Sequence, residues 1–138
     1  MDSLERYRSV QERTYQEALA ELKAGRKRSH WMWFIFPQID GLGVSETSKR
    51  YAISDIEEAQ RFLADPVLGP RLQECVRAAL GHPNLSAREL LGSPDDMKFR
   101  SCLTLFEIAD PEELLFKEAL VTFFAGVRDA RTIALVGL

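Results

Sequence analysis

Two stretches of the chain gather side chains whose types and spacing suit chemistry. Residues 29–43 read SHWMWFIFPQIDGLG. His30, with an unperturbed pKa of about 6.5, suits proton transfer beside the faces of Trp31 and Trp33; its alternative is a structural ring hydrogen-bonded inside the fold. The basic triplet Arg26, Lys27 and Arg28 comes just before. It reads either as favourable charge at the carboxyl end of a preceding helix or as an anion-binding edge. Gln38, Gly41 and Gly43 follow, with Ser45 and Tyr51 as the next polar groups. Gly41-Leu42-Gly43 allows a close backbone approach to something bound, or a plain turn leaving the core, and a lone G-x-G with no parallel strand before it is weak evidence for phosphate. π-faces for a base and donors for anionic groups would together make a nucleotide or ribose pocket.

The second stretch, DDMKFRSCLT over residues 95–104, carries Lys98, Ser101 and Thr104 at helical i, i+3 steps, which predicts a polar stripe along one side. Phe99, Leu103 and Phe106 have core spacing opposite it. A lysine beside a serine activates the hydroxyl only if burial lowers the lysine pKa; a solvated face is the simpler alternative. Cys75, Cys102, His30 and His82 show no C-x-x-C or H-x-x-x-H spacing, so neither a metal nor a cofactor is expected.

The elements that must position these groups are helices. Asp2 with Glu5 has capping-box spacing, and apolar residues recur every three or four positions until Gly25, which predicts a helix over 3–24 with Gln11 as a buried amide needing partners. Ser29 is placed to cap a short helix through Phe34 or Ile35, limited by Pro37. Ser54 with Glu57 predicts a helix to Ala64, Pro66 the first turn of another to Leu80, and Ser86 with Glu89 a short one. Ser93 before Pro94 predicts a long helix to Ala109, Asp110 before Pro111 one ending at Gly126, and Asp129 a last short one. Strand evidence is confined to the aromatic run and the tail TIALVGL. Six large apolar side chains in a row, residues 31–36, should lie at the centre, with Gln38 a candidate acceptor for a buried indole N–H.

The expectation is therefore an all-α, single-domain bundle of six or more helices over residues 1–138 with a central buried aromatic segment. Hydrophobic residues at 46% and charged residues at 28% match ordinary globular chains. A net charge of −3 disfavours nucleic acid as a partner. The aromatic run is far shorter than the roughly 20 residues that span a bilayer, so no membrane is expected. The polar start MDSLERYRSVQERTYQ lacks the order of a signal peptide, which predicts a cytoplasmic location with both cysteines as thiols.

The string KRSHWMWFIFPQIDGLG, followed by YAIS, EAQRFLADPVLGPRL, DDMKFRSCLTLF and G-x-x-D-A-x-T, resembles the family called domain of unknown function 1810 over nearly the whole chain. The resemblance implies an all-helical bundle with one central helix and supplies no activity. It sets His30, Trp31, Trp33, Pro37, Gln38, Gly41, Gly43, Ser45, Tyr51, Lys98, Ser101 and Thr104 at motif positions. It departs at Cys102, where serine is more usual, so no essential role is expected there. A shorter fragment, Glu12-x-x-Tyr15-Gln16, resembles the E-H-x-Y-Q stretch of a glycosidase-like family acting on ADP-ribose derivatives, with Arg13 at the histidine position.

Three functions follow as expectations. The first is binding of a small nucleotide-like or anionic ligand in a pocket built from residues 30–51 and the polar side of 95–104. The second is a helical protein-interaction module without catalysis. The third is an N-glycosidase-like hydrolase acting on ADP-ribose derivatives.

Overall fold

The computed structural model describes residues 2–137; Met1 and Leu138, the ends of the expected domain, lie outside them. Among the described residues the chain forms nine helices and no strand: α1 (Glu5–Ala24), α2 (Met32–Ile35), α3 (Glu46–Arg50), α4 (Ile56–Ala64), α5 (Leu68–Leu80), α6 (Ala87–Leu91), α7 (Asp95–Ala109), α8 (Leu114–Phe124) and α9 (Ala130–Leu135). The tail TIALVGL, the other stretch with strand-like composition, starts within the short helix α9, in keeping with the all-α expectation; its last residue, Leu138, lies outside the described residues.

α7 is the central helix. It packs against α4, α6, α8 and α9, while α1 packs on α5 and α2. Residues 101–107 are buried without interruption, so neighbouring elements cover this stretch on every side, its polar residues Ser101, Thr104 and Glu107 included. This corrects the expected polar stripe. The Ser101 hydroxyl donates to the Met97 carbonyl at 3.2 Å and the Thr104 hydroxyl to that of Arg100 at 2.8 Å, so both satisfy themselves against their own helix.

The aromatic run joins this core through Phe36, 4.7 Å from Phe99 between ring centroids. Trp31, Met32, Ile35 and Phe36 are buried. Trp33 and Phe34 are only half-buried, because α2 turns them outward after a single helical turn. After α2 the chain runs extended; Ile53 N donates to the Gln38 carbonyl and Asp40 N to the Ile53 carbonyl, both at 2.8 Å, in one parallel bridge.

Several helix starts differ by a few residues from the caps read in the sequence. Ser86 and Glu89 form their reciprocal box. Asp2 instead accepts from Leu4 N at 2.9 Å, and α1 begins at Glu5. Asp55, not Ser54, caps α4, accepting from Glu58 N at 2.8 Å. Asp65 holds Val67 N and Leu68 N, so α5 starts past Pro66. α8 starts at Leu114, after a turn in which Glu113 N donates to the Asp110 carbonyl. The unexpected helix is α3, capped by Ser45, whose hydroxyl accepts from Ser48 N at 3.1 Å.

Candidate functional site

Glu21, on the last turns of α1, organises the loop that leads into the aromatic run. Its Oε1 accepts from Arg28 N at 2.7 Å, Ser29 N at 2.9 Å and the Trp31 indole N–H at 2.8 Å, and its Oε2 accepts from the Ser29 hydroxyl at 2.6 Å. Burial alone would raise the pKa of this carboxyl. The donors from Ser29, Arg28 and Trp31 outweigh it and hold the pKa at about 2. Two expectations are corrected here: the acceptor for the buried indole is Glu21 rather than Gln38, and Ser29 is engaged by Glu21 instead of capping α2, whose N-cap is Trp31.

With the loop so held, Lys27 turns inward. Its ammonium donates to the Ser29 carbonyl at 2.6 Å, pairs with Asp95 Oδ2 at 3.0 Å and lies 5.1 Å from the centre of the Trp31 ring. Asp95, in the first turn of α7, offers its other oxygen to Lys98 Nζ at 2.9 Å. Lys98 in turn lies 4.4 Å over the Trp33 ring. Burial works to raise the Asp95 pKa, but the hydrogen bonds and charges of Lys98 and Lys27 prevail and hold it below the usual carboxylate range. Lys27 is thus the member of the basic triplet that folds in against the first turn of α7.

These groups form one wall of an open cavity of about 430 Å³, completed by His30, Trp33, Phe34, Ser45 and Thr47. Of the residues singled out from sequence, the fold brings His30, Trp31, Trp33, Ser45 and Lys98 to this cavity. His30 is an exposed residue at its rim. Ser101 and Thr104 do not reach it: Thr104, fully buried, instead accepts from Asp129 N at 3.0 Å.

Gln38, Gly41, Gly43 and Tyr51 line a neighbouring pocket closed too tightly for a water molecule, and Trp33 is the side chain common to both. The glycines are explained by packing. A Cβ on Gly43 would lie 2.4 Å from the Ser48 hydroxyl, and Gly41 has φ +108 with Leu135 at 3.0 Å from a built Cβ. Gln38 is buried and its Nε2 meets no acceptor among the described residues. Gln11, the other buried amide, donates to the Phe34 carbonyl at 2.8 Å.

Sequence reasoning missed Glu21, and it left Asp95 and Thr47 without a role. The i, i+3 spacing of Asp95 and Lys98 was a usable signal for their pairing. Nothing local marks Glu21, because its donors arrive only when the chain folds back after Gly25. The glycosidase-like fragment comes apart in the fold. Glu12 is exposed, whereas Tyr15 is buried, hydrogen-bonded to Glu74 and covered by the Arg71 guanidinium at 4.7 Å.

Among the described residues no group of three or more His, Cys, Asp and Glu side chains is placed to hold a metal ion, and no helix is long and apolar enough to cross a membrane. Cys102 is fully buried in apolar surroundings that push its thiol pKa well up, which leaves it inert as a nucleophile.

No curated protein matches the chain. Among solved structures it is similar to the conserved hypothetical protein Rv1873 from Mycobacterium tuberculosis, with 44% identity over 98% of this chain and 96% of that one and a TM-score of 0.96. The family model described as Protein of unknown function (DUF1810) matches residues 1–136, and the chain therefore belongs to that family.

Proposed function

We propose that the protein binds a small anionic, nucleotide-like ligand in the cavity beside Trp33. The observation that carries this reading is a charge imbalance: two ammonium groups, Lys27 and Lys98, share the single carboxylate of Asp95 on the cavity wall. An ammonium has three donors; Lys98 uses one on Asp95, and Lys27 uses two, on Asp95 and Ser29. Both residues line a concavity of about 430 Å³, within the range of roughly 300–1,000 Å³ that suits small ligands. Because Asp95 and Trp33 already hold Lys98, little ordering is lost when an anion arrives. Aromatic wall and exposed His30 supply a surface for a flat ring and a further donor.

The reading has the protein act in the cytoplasm, where two unpaired, buried cysteines would remain reduced, and the net charge of −3 argues against a nucleic-acid partner. The alternative of an interaction module without catalysis draws on Leu114 and Val121, exposed on one face of α8.

A thermal-shift screen against inorganic phosphate, sugar phosphates, AMP and ADP-ribose is the first test, since a ligand that binds only the folded state raises its melting temperature. Hits are then titrated calorimetrically with parent, Lys98→Ala and the exposed control Lys117→Ala. Lys98→Ala is expected to weaken binding about tenfold or more, the loss of a charge-assisted hydrogen bond. Equal affinity in all three proteins sinks the assignment, and silence across the panel moves it to the interaction module.

A further inference from the structure

A second open cavity, about 520 Å³ in volume, lies between α1 and α3 and shares Phe34 and Thr47 with the first. Its charges are arranged differently. Arg13 comes from α1 and Arg50 from the end of α3, and neither guanidinium has an ion-pair partner among the described residues. Arg50 lies 5.7 Å from the centre of the Tyr51 ring, and Tyr51 meets Phe34, the ring that lines both cavities, edge-on at 4.7 Å. Glu46 adds one carboxylate to the same wall.

We infer that these two cavities form one elongated site for a nucleoside diphosphate joined to a sugar, with the first phosphate at Lys27 and Lys98, the second at Arg13 and Arg50, and the sugar against Glu46. The inference rests on the proposed anion site beside Trp33 and names what that site binds. Three features select this class. The cations are divided between two adjoining cavities that share Phe34 and Thr47, which suits two linked phosphates better than one. Guanidinium forks match phosphate oxygens geometrically and bind them bidentately. A carboxylate beside them repels a terminal phosphate but accepts hydrogen bonds from sugar hydroxyls, which favours a capped diphosphate over a free one.

The test compares AMP, ADP and ADP-ribose by calorimetric titration on the parent, Arg13→Gln/Arg50→Gln and Lys98→Ala. Both arginines are exposed, so the double variant should keep the parent's melting curve. The parent should bind ADP-ribose about tenfold more tightly than AMP, with ADP between them, and the double variant should lose that gain while its AMP affinity stays within about twofold. In Glu46→Gln the preference for ADP-ribose over ADP should shrink. Equal binding of AMP and ADP-ribose by the parent, or an unchanged ADP-ribose affinity in the double variant, overturns the inference while leaving the Lys98 cavity intact if Lys98→Ala still weakens AMP. Binding that depends on the arginines and ignores Lys98 overturns the first cavity instead. Absence of binding by all three nucleotides to the parent overturns both.

Discussion

Lys98 and Ser101 lie one turn apart on α7, and Thr104 one turn further, so the three would share a face on an isolated helix. Lys98 stands at a cavity wall between Asp95 and Trp33, with donors to spare. Ser101 and Thr104 are buried, with their hydroxyls spent on carbonyls of their own helix. The difference lies in what packs opposite. The first turn of α7 meets the loop held by Glu21, whose Lys27 lines an open cavity, whereas the middle of α7 is enclosed by neighbouring helices and the charges near it are paired, Arg128 with Glu107 and Arg100 with Asp129. A polar residue becomes part of a site only where the facing element leaves both space and an unbalanced charge.

The sharpest way to break this comparison is to truncate an aromatic ring on each side of it. Phe106 is fully buried between Phe62 and Phe116, at centroid distances of 5.4 and 5.8 Å. Phe106→Ala should cost about 3–5 kcal/mol in denaturant unfolding, as for large aromatics removed from packed interiors. Trp33→Ala, at the cavity wall, should cost clearly less, since a half-buried ring leaves a smaller cavity behind. Comparable losses would show that the wall belongs to the core after all.

A second test addresses the loop that supplies the charge. Glu21 has a folded pKa of about 2, below its ordinary 4.5, so the stability it contributes is present in full above that ordinary value and fades as pH falls toward 2. The parent's melting temperature should therefore drop across this window. Glu21→Gln should start lower at neutral pH and fall less steeply over the same window. Parallel acid limbs in the two proteins would remove Glu21 from its organising role.

How much of this was visible in the sequence follows the range of the interactions. The Ser86–Glu89 box, the stop at Gly25 and the spacing of Phe99, Leu103 and Phe106 are local signals, and the fold follows them. The family resemblance brought His30 and Lys98 forward together, and the fold places both on one cavity. α3 was not foreseen, because five residues of mixed polarity after Ser45 show no apolar period, and Glu21 was not, because it acts on donors brought back by the loop. Ser101 and Thr104 were misplaced for the complementary reason: i, i+3 spacing gives the face of a helix and not what covers it.

The third test concerns Thr104, which ties α7 to the N-terminus of α9 by accepting from Asp129 N at 3.0 Å. Thr104→Val keeps the shape and removes the acceptor, so it should cost about 1–3 kcal/mol, the penalty for a donor left without a partner. Nucleotide titration of this variant should match the parent. A change in affinity without a change in stability would return Thr104 to the site from which its position separates it.

Gln38 provides the finest distinction between core and site. Its backbone carbonyl is fixed by Ile53 N at 2.8 Å, its side chain is 5% exposed, and its amide nitrogen has no acceptor among the described residues. If the amide is simply enclosed, it stands as a polar group desolvated without return, and Gln38→Met, close in volume and free of N–H groups, should stabilise the protein by about 1 kcal/mol. Denaturant midpoints measure that shift directly. A loss of stability would instead mean that Nε2 meets a partner in solution, and the closed pocket adjoins the open cavity at Trp33, which lines both. Repeating the measurement with saturating ADP-ribose then decides the matter: a ligand-dependent penalty in Gln38→Met would make the amide a recognition group reached past that ring, whereas an equal shift with and without nucleotide would leave Gln38 in the core.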